Sequence, residues 1–326
     1  MTTEPLRSPF PYFGGKHKAA PTVWEAFGQV DNYVEPFAGS AAMLLAAPEG
    51  RRIETINDFD GFVANFWRAV SHDPDAVAHA ADWPVNEVDL FARHSWLVRQ
   101  RATLTEQLHA DPAYYDARIA GWWVWGACNW IGSGWCSGTG PWVHDGERIV
   151  RADSNAGRGI NRQLPHLGDA GRGSEHPRTV FIRAWMRELH QRLRDVRVTC
   201  GDWGRVVKDS ITTRNGLTAV FLDPPYTKGE MDYSAGGMGL GIADDVRAWC
   251  AANGSNPQLR IVLCGHAGEH DALLAQGWHT RAWKAGGGYA RTDEAIANAK
   301  SETIWCSPHC VPERGVVQDL FAESTA

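Results

Sequence analysis

The sequence predicts an α/β fold in which a doubly wound, mainly parallel sheet is interrupted by an inserted, mainly helical region. Residues 32–58 show the succession strand, glycine turn, helix and strand that is typical of a parallel crossover. The same alternation of strands and helices resumes near residue 196. We therefore predict a discontinuous core domain (8–60 and 196–310), an inserted target-facing region (61–195) and a C-terminal tail (311–326).

The first core segment is predicted to run from a loop and a helix into a strand that ends near Glu35. A glycine turn then leads into a helix of small residues that begins at about Ser40, whose hydroxyl is available as the N-cap. The stretch RRIETINDFD predicts a second strand, which carries Asn57 and Asp58 at its carboxyl end. These elements make up half of a nucleotide-type domain.

The inserted region is predicted to contain helices at 61–71, 86–109 and 112–125, and one further helix that follows a run rich in glycine and arginine (132–177). Within it, tryptophans recur at near-helical spacing. This spacing is more typical of core residues than of ligand contacts. We therefore expect three of these rings to be buried in the insertion, namely Trp122, Trp123 and Trp125.

The second core segment is predicted to begin with a strand that ends at Gly201 and Asp202, followed by a helix. The apolar strand at 218–222 leads directly into Asp223. A helix at 242–252, the strand LRIVLCG, a helix at about 269–276 and two late strands, HTRAWKA and SETIWCS, complete this segment.

The composition is that of an ordinary soluble chain, with 326 residues of which 44% are hydrophobic and 21% are charged. No apolar stretch is long enough to cross a bilayer, and the N-terminus lacks the features of a signal peptide. We expect a cytoplasmic protein that is a monomer or a weak dimer. Seven cysteines without C-x-x-C spacing suit reduced thiols, and the stretch CSPHC lacks the partner cluster that a zinc site needs, so we predict no metal.

Charge is unevenly distributed along the chain. The net charge is −6, yet residues 148–197 contain eleven arginines and five acids. Arginine forks match phosphate geometry, so this stretch is a candidate for contact with a nucleic-acid backbone, while its amphipathic helix fits a solvated, salt-bridged face equally well. The arginines that we expect to contact the backbone are Arg148, Arg151, Arg158 and Arg162.

Four acids are predicted at the carboxyl ends of the core strands, where doubly wound sheets bind their ligands: Glu35, Asp58, Asp202 and Asp223. The turn after the first strand contains Gly39, which allows a ligand to approach the backbone closely. It is not the three-glycine dinucleotide fingerprint, and the acids repel phosphates. A nucleoside with a positive centre, such as S-adenosylmethionine, fits this edge best.

The tetrapeptide that follows the fourth of these strands offers two hydrogen-bond acceptors side by side. The carboxylate of Asp223 and the carbonyl of Pro224 can accept the two hydrogens of an exocyclic amino group on a nucleobase, and the two prolines hold them rigidly. Tyr226 can stack on a base that has been flipped out of the duplex. Catalysis of this kind depends on positioning and electrostatics.

Three motifs in order, PYFGGKHKAA, EPFAGS and DPPY, resemble the Dam-like class of DNA adenine methyltransferases of phage or bacterial type, over nearly the whole chain from Pro11 to Pro308. The resemblance implies a Rossmann-like methyltransferase sheet with an inserted target-recognition domain. It also implies S-adenosylmethionine as the cofactor, double-stranded DNA as the partner and the 6-amino group of adenine as the methyl acceptor.

The resemblance also implies a role for individual residues. Lys16 would engage a carboxylate or a polar backbone group at the methionine end of the cofactor, Asp58 its ribose, and Asp202 with Trp203 its adenine ring. The catalytic residues would be Asp223, Pro224, Pro225 and Tyr226. The remaining cofactor residues would be Tyr12, Phe13, Gly14, Gly15, Glu35, Pro36, Phe37, Ala38, Gly39 and Ser40.

The inserted region departs from the best-known members of that class, which carry a loop of the form N-R-x-G-x-N-G. Here NWIGSGW keeps Asn129 and a glycine but places Trp130 and Trp135 where other residue types are expected. We predict that these three residues contact DNA, with the rings wedging into the duplex or stacking on bases. The departure affects the expected target sequence and not the expected chemistry.

Other functions fit parts of the same pattern. The 4-amino group of cytosine is an alternative acceptor, although an acid at position 223 favours adenine. A methyltransferase acting on RNA or on a protein amide more often carries Asn at that position. A catalytically idle DNA-binding relative is a further alternative, but such a protein has no need for the acids Glu35, Asp58 and Asp223 beside Tyr226.

Overall fold

The computed structural model describes residues 6–12, 16–130, 135–136, 142–144, 149–151, 163–164, 168–169, 178–225, 241–282 and 302–313. The first core segment contains a helix, a strand, a short helix and a second strand, in the predicted order. Their bounds are α1 (Ala20–Phe27), β1 (Asn32–Glu35), α2 (Ala42–Leu45) and β2 (Ile53–Asp58).

The inserted region consists of five helices and two small hairpins in the part of the chain that the structure describes. Its elements are α3 (Gly61–His72), α4 (Pro74–Ala81), α5 (Glu87–Ala110), α6 (Ala117–Asn129), β3 (Trp142–His144), β4 (Ile149–Arg151), β5 (Gln163–Leu164), β6 (Gly168–Asp169) and α7 (Arg178–Leu193). The core then resumes with β7 (Val196–Cys200), β8 (Thr218–Leu222), α8 (Ile242–Asn253), β9 (Leu259–His266), β10 (His279–Ala282) and β11 (Glu302–Cys306).

The core sheet has seven strands in the order β10-β11-β9-β8-β1-β2-β7. β8 lies in the centre, parallel to β1 on one side and to β9 on the other, and β2 and β7 continue the parallel arrangement beyond β1. β11 is antiparallel to both β9 and β10. All five residues of β8 are buried, as expected for a strand covered on both faces. The predicted doubly wound α/β fold is confirmed.

Aromatic side chains connect the insertion to the core. The ring of Phe10 packs edge-on against Phe66 of α3 and Trp123 of α6, at centroid distances of 5.2 and 4.9 Å. α3 contacts β2 and β7 as well as α5, α6 and α7. The three tryptophans assigned to the core behave as predicted, because Trp123 and Trp125 are buried and Trp122 is partly buried. The hydrophobic core therefore runs from the sheet into the helical insertion.

Several predicted elements are corrected. α4 was not predicted; the Asp73 side chain accepts a hydrogen bond from the Ala76 N–H and starts this helix. The helix expected at 112–125 begins later, at the residue after the N-cap Asp116. The helices expected between β7 and β8 and at 269–276 are 3₁₀ turns.

α2 also differs from its prediction. It is four residues long, and its N-cap is Ala41, which has a φ of 51° and makes no side-chain capping bond. Ser40 is therefore not the cap. No helix in the described ranges is long and apolar enough to span a membrane. All seven cysteines are buried and unpaired.

Candidate active site

The four predicted acids do lie at one edge of the sheet. Glu35 is the last residue of β1, Asp58 is the last residue of β2, Asp223 directly follows β8, and Asp202 follows β7 after one residue. β7, β2, β1 and β8 are parallel neighbours, so their carboxyl ends share this edge. The ligand site is therefore expected here.

Asp58 fixes the glycine turn to the end of β2. Its Oδ2 atom accepts a hydrogen bond from the Gly39 N–H at 2.8 Å, and its Oδ1 atom accepts one from the Asp60 N–H at 2.8 Å. The carbonyl of Gly39 accepts a bond from the indole N–H of Trp67. Burial raises the pKa of Asp58 to about 7, although the Gly39 N–H favours the ionised form. The carboxylate that is proposed for the ribose is thus held in place by the backbone.

Asn57, which the sequence placed at the strand end without a role, ties three chain segments together. Its Nδ2 atom donates to the carbonyls of Pro36 (3.0 Å) and Gly201 (2.9 Å), and its Oδ1 atom accepts from the hydroxyl of Thr199. A short amide that makes three hydrogen bonds in the interior positions the ends of β1, β2 and β7 relative to one another. Only the tertiary structure reveals this role.

Glu35 is 2% exposed and points into the core beside the edge. It accepts hydrogen bonds from the Tyr33 hydroxyl (2.9 Å) and from the N–H of Leu44 (3.2 Å). Burial raises the pKa of Glu35 to about 8; these two donors oppose the change, and the charge of Asp223 adds to it. Glu35 and Asp58 therefore both change protonation near neutral pH.

Lys16 is held between two carboxylates. Its Nζ atom lies 3.3 Å from Oδ2 of Asp223 and 3.5 Å from Oε1 of Glu302, and its side chain is 4% exposed. Burial on its own lowers the pKa of a lysine, but the attraction of Asp223 and Glu302 outweighs this effect, so the pKa of Lys16 is raised. The carboxylates that Lys16 contacts belong to the protein, and its contact with the cofactor stays a prediction.

Glu302 was not predicted as a site residue. It is the first residue of β11, which runs antiparallel to β9. The amino end of an antiparallel strand lies at the same edge as the carboxyl ends of its parallel neighbours. An acid in the first position of a late strand was therefore the available signal. Burial raises the pKa of Glu302, and Lys16 works in the opposite direction.

Tyr12 covers the glycine turn. A Cβ atom on Gly39 would overlap the Tyr12 ring, and Gly39 has a φ of 46°, so two separate constraints favour glycine here. The close approach that the sequence attributed to a ligand is thus made, in this structure, by the segment predicted to fold over the cofactor. Tyr12 itself stays 37% exposed, and its ring packs edge-on against Phe10.

Flat apolar surfaces lie beside the acids. The rings of Phe37 and Trp203 stack with an interplanar angle of 29° and a centroid distance of 6.1 Å. Phe59, between Asp58 and Asp60, is 49% exposed and was not selected from the sequence, although its place next to the ribose acid was the available signal. Asp202 is exposed and accepts a bond from the Gly204 N–H.

The predicted DNA-contacting residues of the NWIGSGW stretch pack inward. Trp130 is 8% exposed and stacks on His94, and the indole of Trp135 donates to the carbonyl of Trp123. Asn129 is fully buried and donates to the carbonyl of Trp125. The insertion has to bury its own apolar surface, and these rings supply it. Trp130 and Trp135 therefore do not present freely exposed rings that could stack on bases.

Some predicted site residues are only partly covered by the structure. Pro224 is buried and Pro225 is partly buried, directly after Asp223, and Arg151 is the last residue of β4. Phe13, Gly14, Gly15, Tyr226, Arg148, Arg158 and Arg162 lie outside the described residues. Among the described residues, no group of three or more His, Cys, Asp or Glu side chains is arranged to hold a metal ion.

The mixed seven-stranded sheet with flanking helices and an acidic carboxyl edge is a Rossmann-like methyltransferase architecture. Residues 12–113 match the model of the D12 class N6 adenine-specific DNA methyltransferase family, which confirms the resemblance to Dam-like adenine methyltransferases. The matched segment includes Gly39 and Asp58 but ends before Asp223. The family supports DNA adenine methylation as the general activity. A search of curated proteins found no match.

Proposed function

We propose that this protein is a site-specific DNA methyltransferase that moves the methyl group of S-adenosylmethionine to the 6-amino group of an adenine flipped out of double-stranded DNA. The observation that carries the proposal is the position of Asp223. It directly follows a fully buried central strand, precedes Pro224 and Pro225, and lies beside Glu35 and Lys16 at the ligand edge of the sheet.

The residues at this edge fit the cofactor. Bound S-adenosylmethionine would supply an electrophilic methyl group on a positively charged sulfur. The carboxylates of Glu35 and Asp58 favour a cationic nucleoside over a phosphate-bearing one, and Asp58 retains lone pairs for ribose hydroxyls in addition to its two backbone bonds. Phe37, Trp203 and the exposed ring of Phe59 offer apolar faces for a purine.

Asp223 and the Pro224 carbonyl are the proposed acceptors for the two amino hydrogens of adenine. Accepting both hydrogens draws the nitrogen towards tetrahedral geometry, so that its lone pair is directed at the methyl group. Lys16 holds the Asp223 carboxylate in place and offsets its charge, and Glu302 anchors Lys16 from the other side. These side chains are preorganised before substrate binds, which is what electrostatic catalysis requires.

The amino group of a paired adenine cannot reach this edge while the base is stacked, so the base has to be flipped. Tyr226 is proposed to stack on the flipped base, and the arginines Arg148, Arg151, Arg158 and Arg162 are proposed to contact phosphates. Asn129, Trp130 and Trp135 are proposed to influence DNA binding indirectly, since their side chains pack against the helices of the insertion.

Product identification tests the proposal. The full-length protein is incubated with mixed-sequence duplex DNA and methyl-labelled S-adenosylmethionine, and the DNA is digested to nucleosides. We expect the label in N6-methyl-2′-deoxyadenosine. Label in N4-methyldeoxycytidine would overturn the choice of base. Absence both of transfer to DNA and of cofactor binding measured by calorimetry would favour an idle DNA-binding relative.

A further inference from the structure

Cys136 directly follows Trp135, which is predicted to contact DNA, and we call these two residues the recognition segment. Cys136 is fully buried and has a φ of 55°, which is uncommon for a residue with a side chain. Its N–H donates to Nδ1 of His94, and its carbonyl accepts a bond from Nη2 of Arg101 at 2.7 Å. Both partners belong to α5. The long helix of the insertion therefore holds this segment by its backbone.

The neighbouring residue reinforces the same anchor. The ring of Trp135 occupies the space next to Gly126, where any Cβ atom would overlap it, and its indole N–H donates to the carbonyl of Trp123 at 3.0 Å. Trp135 also packs against His94 and Trp130. Residues 135 and 136 are thus held in place by contacts with both α5 and α6.

Arg101 also reaches the cofactor edge. Its Nη1 atom lies 3.2 Å from Oδ1 of Asp60, and its guanidinium lies over the ring of Phe62 at 4.6 Å. Asp60 caps α3 by accepting from the Phe62 N–H, and its own N–H donates to Asp58. One guanidinium therefore contacts both the recognition segment and the residue that positions the proposed ribose acid.

We propose that Arg101 is a positioning residue that couples binding of the cofactor to binding of DNA. Nη2 of Arg101 donates to the Cys136 carbonyl, and Nη1 donates to Asp60. A shift of either partner therefore disturbs the bond to the other. A ligand that fixes the Asp58–Asp60 turn therefore also restrains Arg101 and, through it, the backbone at Cys136, so each ligand is expected to favour binding of the other. The inference rests on the proposed function, because it takes S-adenosylmethionine and DNA as the two ligands.

The experiment measures the affinity of the full-length protein for S-adenosylhomocysteine, with and without saturating sheared genomic DNA. For the wild type we expect DNA to tighten this affinity by about fivefold or more, which is at the low end of typical couplings between two sites. For Arg101→Met we expect the tightening to fall below about twofold, whatever the affinity of this variant in the absence of DNA.

Two further variants make the outcome decisive. Arg118→Met removes an arginine of the same insertion that also packs on aromatic rings, those of Trp96 and Trp122. Within the described part of the chain it has no recorded contact with Asp60 or Cys136, so this variant should keep the wild-type coupling. Asp60→Asn keeps a capping side chain for α3 while weakening the pair with Arg101, so it should reduce the coupling even if Arg101→Met does not fold.

The inference is overturned if Arg101→Met and Asp60→Asn retain the wild-type coupling, or if Arg118→Met loses it equally. It is also overturned if the wild type methylates DNA but shows no coupling at all. A wild type that neither binds S-adenosylhomocysteine nor methylates DNA would instead overturn the proposed function, so the two failures are distinguishable.

Discussion

Nζ of Lys16 lies 3.3 Å from Oδ2 of Asp223, and this contact joins the N-terminal segment to the end of the central strand β8. The two residues are 207 positions apart in the sequence (223 minus 16). A buried lysine needs such partners, and the proposed catalytic acid gains a fixed orientation from the same contact. The first and third sequence motifs thus meet in one ion pair.

Replacing Lys16 by methionine is expected to destabilise the protein and to slow methyl transfer. Removing one member of a buried ion pair leaves uncompensated charge, which typically costs about 3–5 kcal/mol; partial exposure of Asp223 places our expectation near the lower end of that range. Urea unfolding and single-turnover kinetics measure the two effects. Lys18→Met in the same segment is the control, because Lys18 is exposed. Equal stability of the two variants would contradict the assigned contact.

The stability of the ligand-free protein is expected to fall as the pH rises through the neutral range. Glu35 has a pKa of about 8 in the folded protein and about 4.5 when unfolded, so the folded state holds the proton more tightly. Stability is therefore lost between these two values, by an amount on the order of a few kcal/mol for Glu35. Glu35→Gln should remove this part of the pH dependence. A wild-type and a Glu35→Gln curve that run parallel from about pH 5 to about pH 8.5 would show that the carboxyl is not buried as described.

Cofactor affinity is expected to change with pH in the opposite direction. A cationic ligand favours ionised carboxylates, and the pKa values of Asp58 and Glu35 are raised to about 7 and about 8. Binding should therefore tighten from about pH 6 to about pH 9 and release protons. Calorimetry in buffers of different ionisation enthalpy measures this release. Proton uptake on binding would contradict the charge assignment of the site.

The contact between Tyr12 and Gly39 can be tested with a double-mutant cycle. Gly39→Ala is expected to weaken cofactor binding, because its Cβ atom overlaps the Tyr12 ring and the residue has positive φ. Tyr12→Ala in the same chain should restore the steric part of the loss and leave the backbone cost, about 1 kcal/mol. Gly50→Ala serves as the control for the backbone cost, since Gly50 also has a positive φ (153°), whereas its Cβ atom would meet, among the described residues, only Arg52 at 3.9 Å. Strict additivity of the two substitutions would argue against the contact.

The arginine-rich part of the insertion is expected to set the salt dependence of DNA binding. Replacing Arg148, Arg151, Arg158 and Arg162 together by glutamine should lower the slope of log K against log salt by about 0.9 for each phosphate that the variant no longer neutralises. Arg187→Gln is the control. This arginine of α7 already forms a surface ion pair with Asp75 of α4. If both variants retain the wild-type slope, these arginines form a solvated surface and do not bind phosphates.

Much of the core could be predicted because its signals are local. The buried strands, the glycine turn and the acids at strand ends each follow from a few consecutive residues, and the sheet confirms them at Glu35, Asp58 and Asp223. Glu302 could not be found in this way, since its role depends on an antiparallel strand returning beside β9. Asn57 was visible as a strand-end residue, but its bonds to Pro36 and Gly201 depend on the pairing of distant strands.

The role of Trp130 and Trp135 in the insertion could not be predicted from the sequence. A tryptophan beside a glycine-rich stretch fits a DNA-stacking ring and a core ring equally well from sequence, and burial decides between them. Trp130 and Trp135 both pack against the ring of His94. This contact was not predicted from the sequence. α4 was missed for a similar reason, because an Asp-Pro pair fits a chain break as well as it fits a capped helix start.

The most direct test is single-turnover methyl transfer to adenine in DNA by Asp223→Ala, together with its affinity for S-adenosylmethionine. Asp245→Ala, which removes an exposed acid from α8, is the control. We expect Asp223→Ala to bind the cofactor within about threefold of the wild type and to transfer the methyl group at least about 100-fold more slowly, as for loss of a preorganised polar group. Transfer at a rate close to that of the wild type would contradict the role of Asp223.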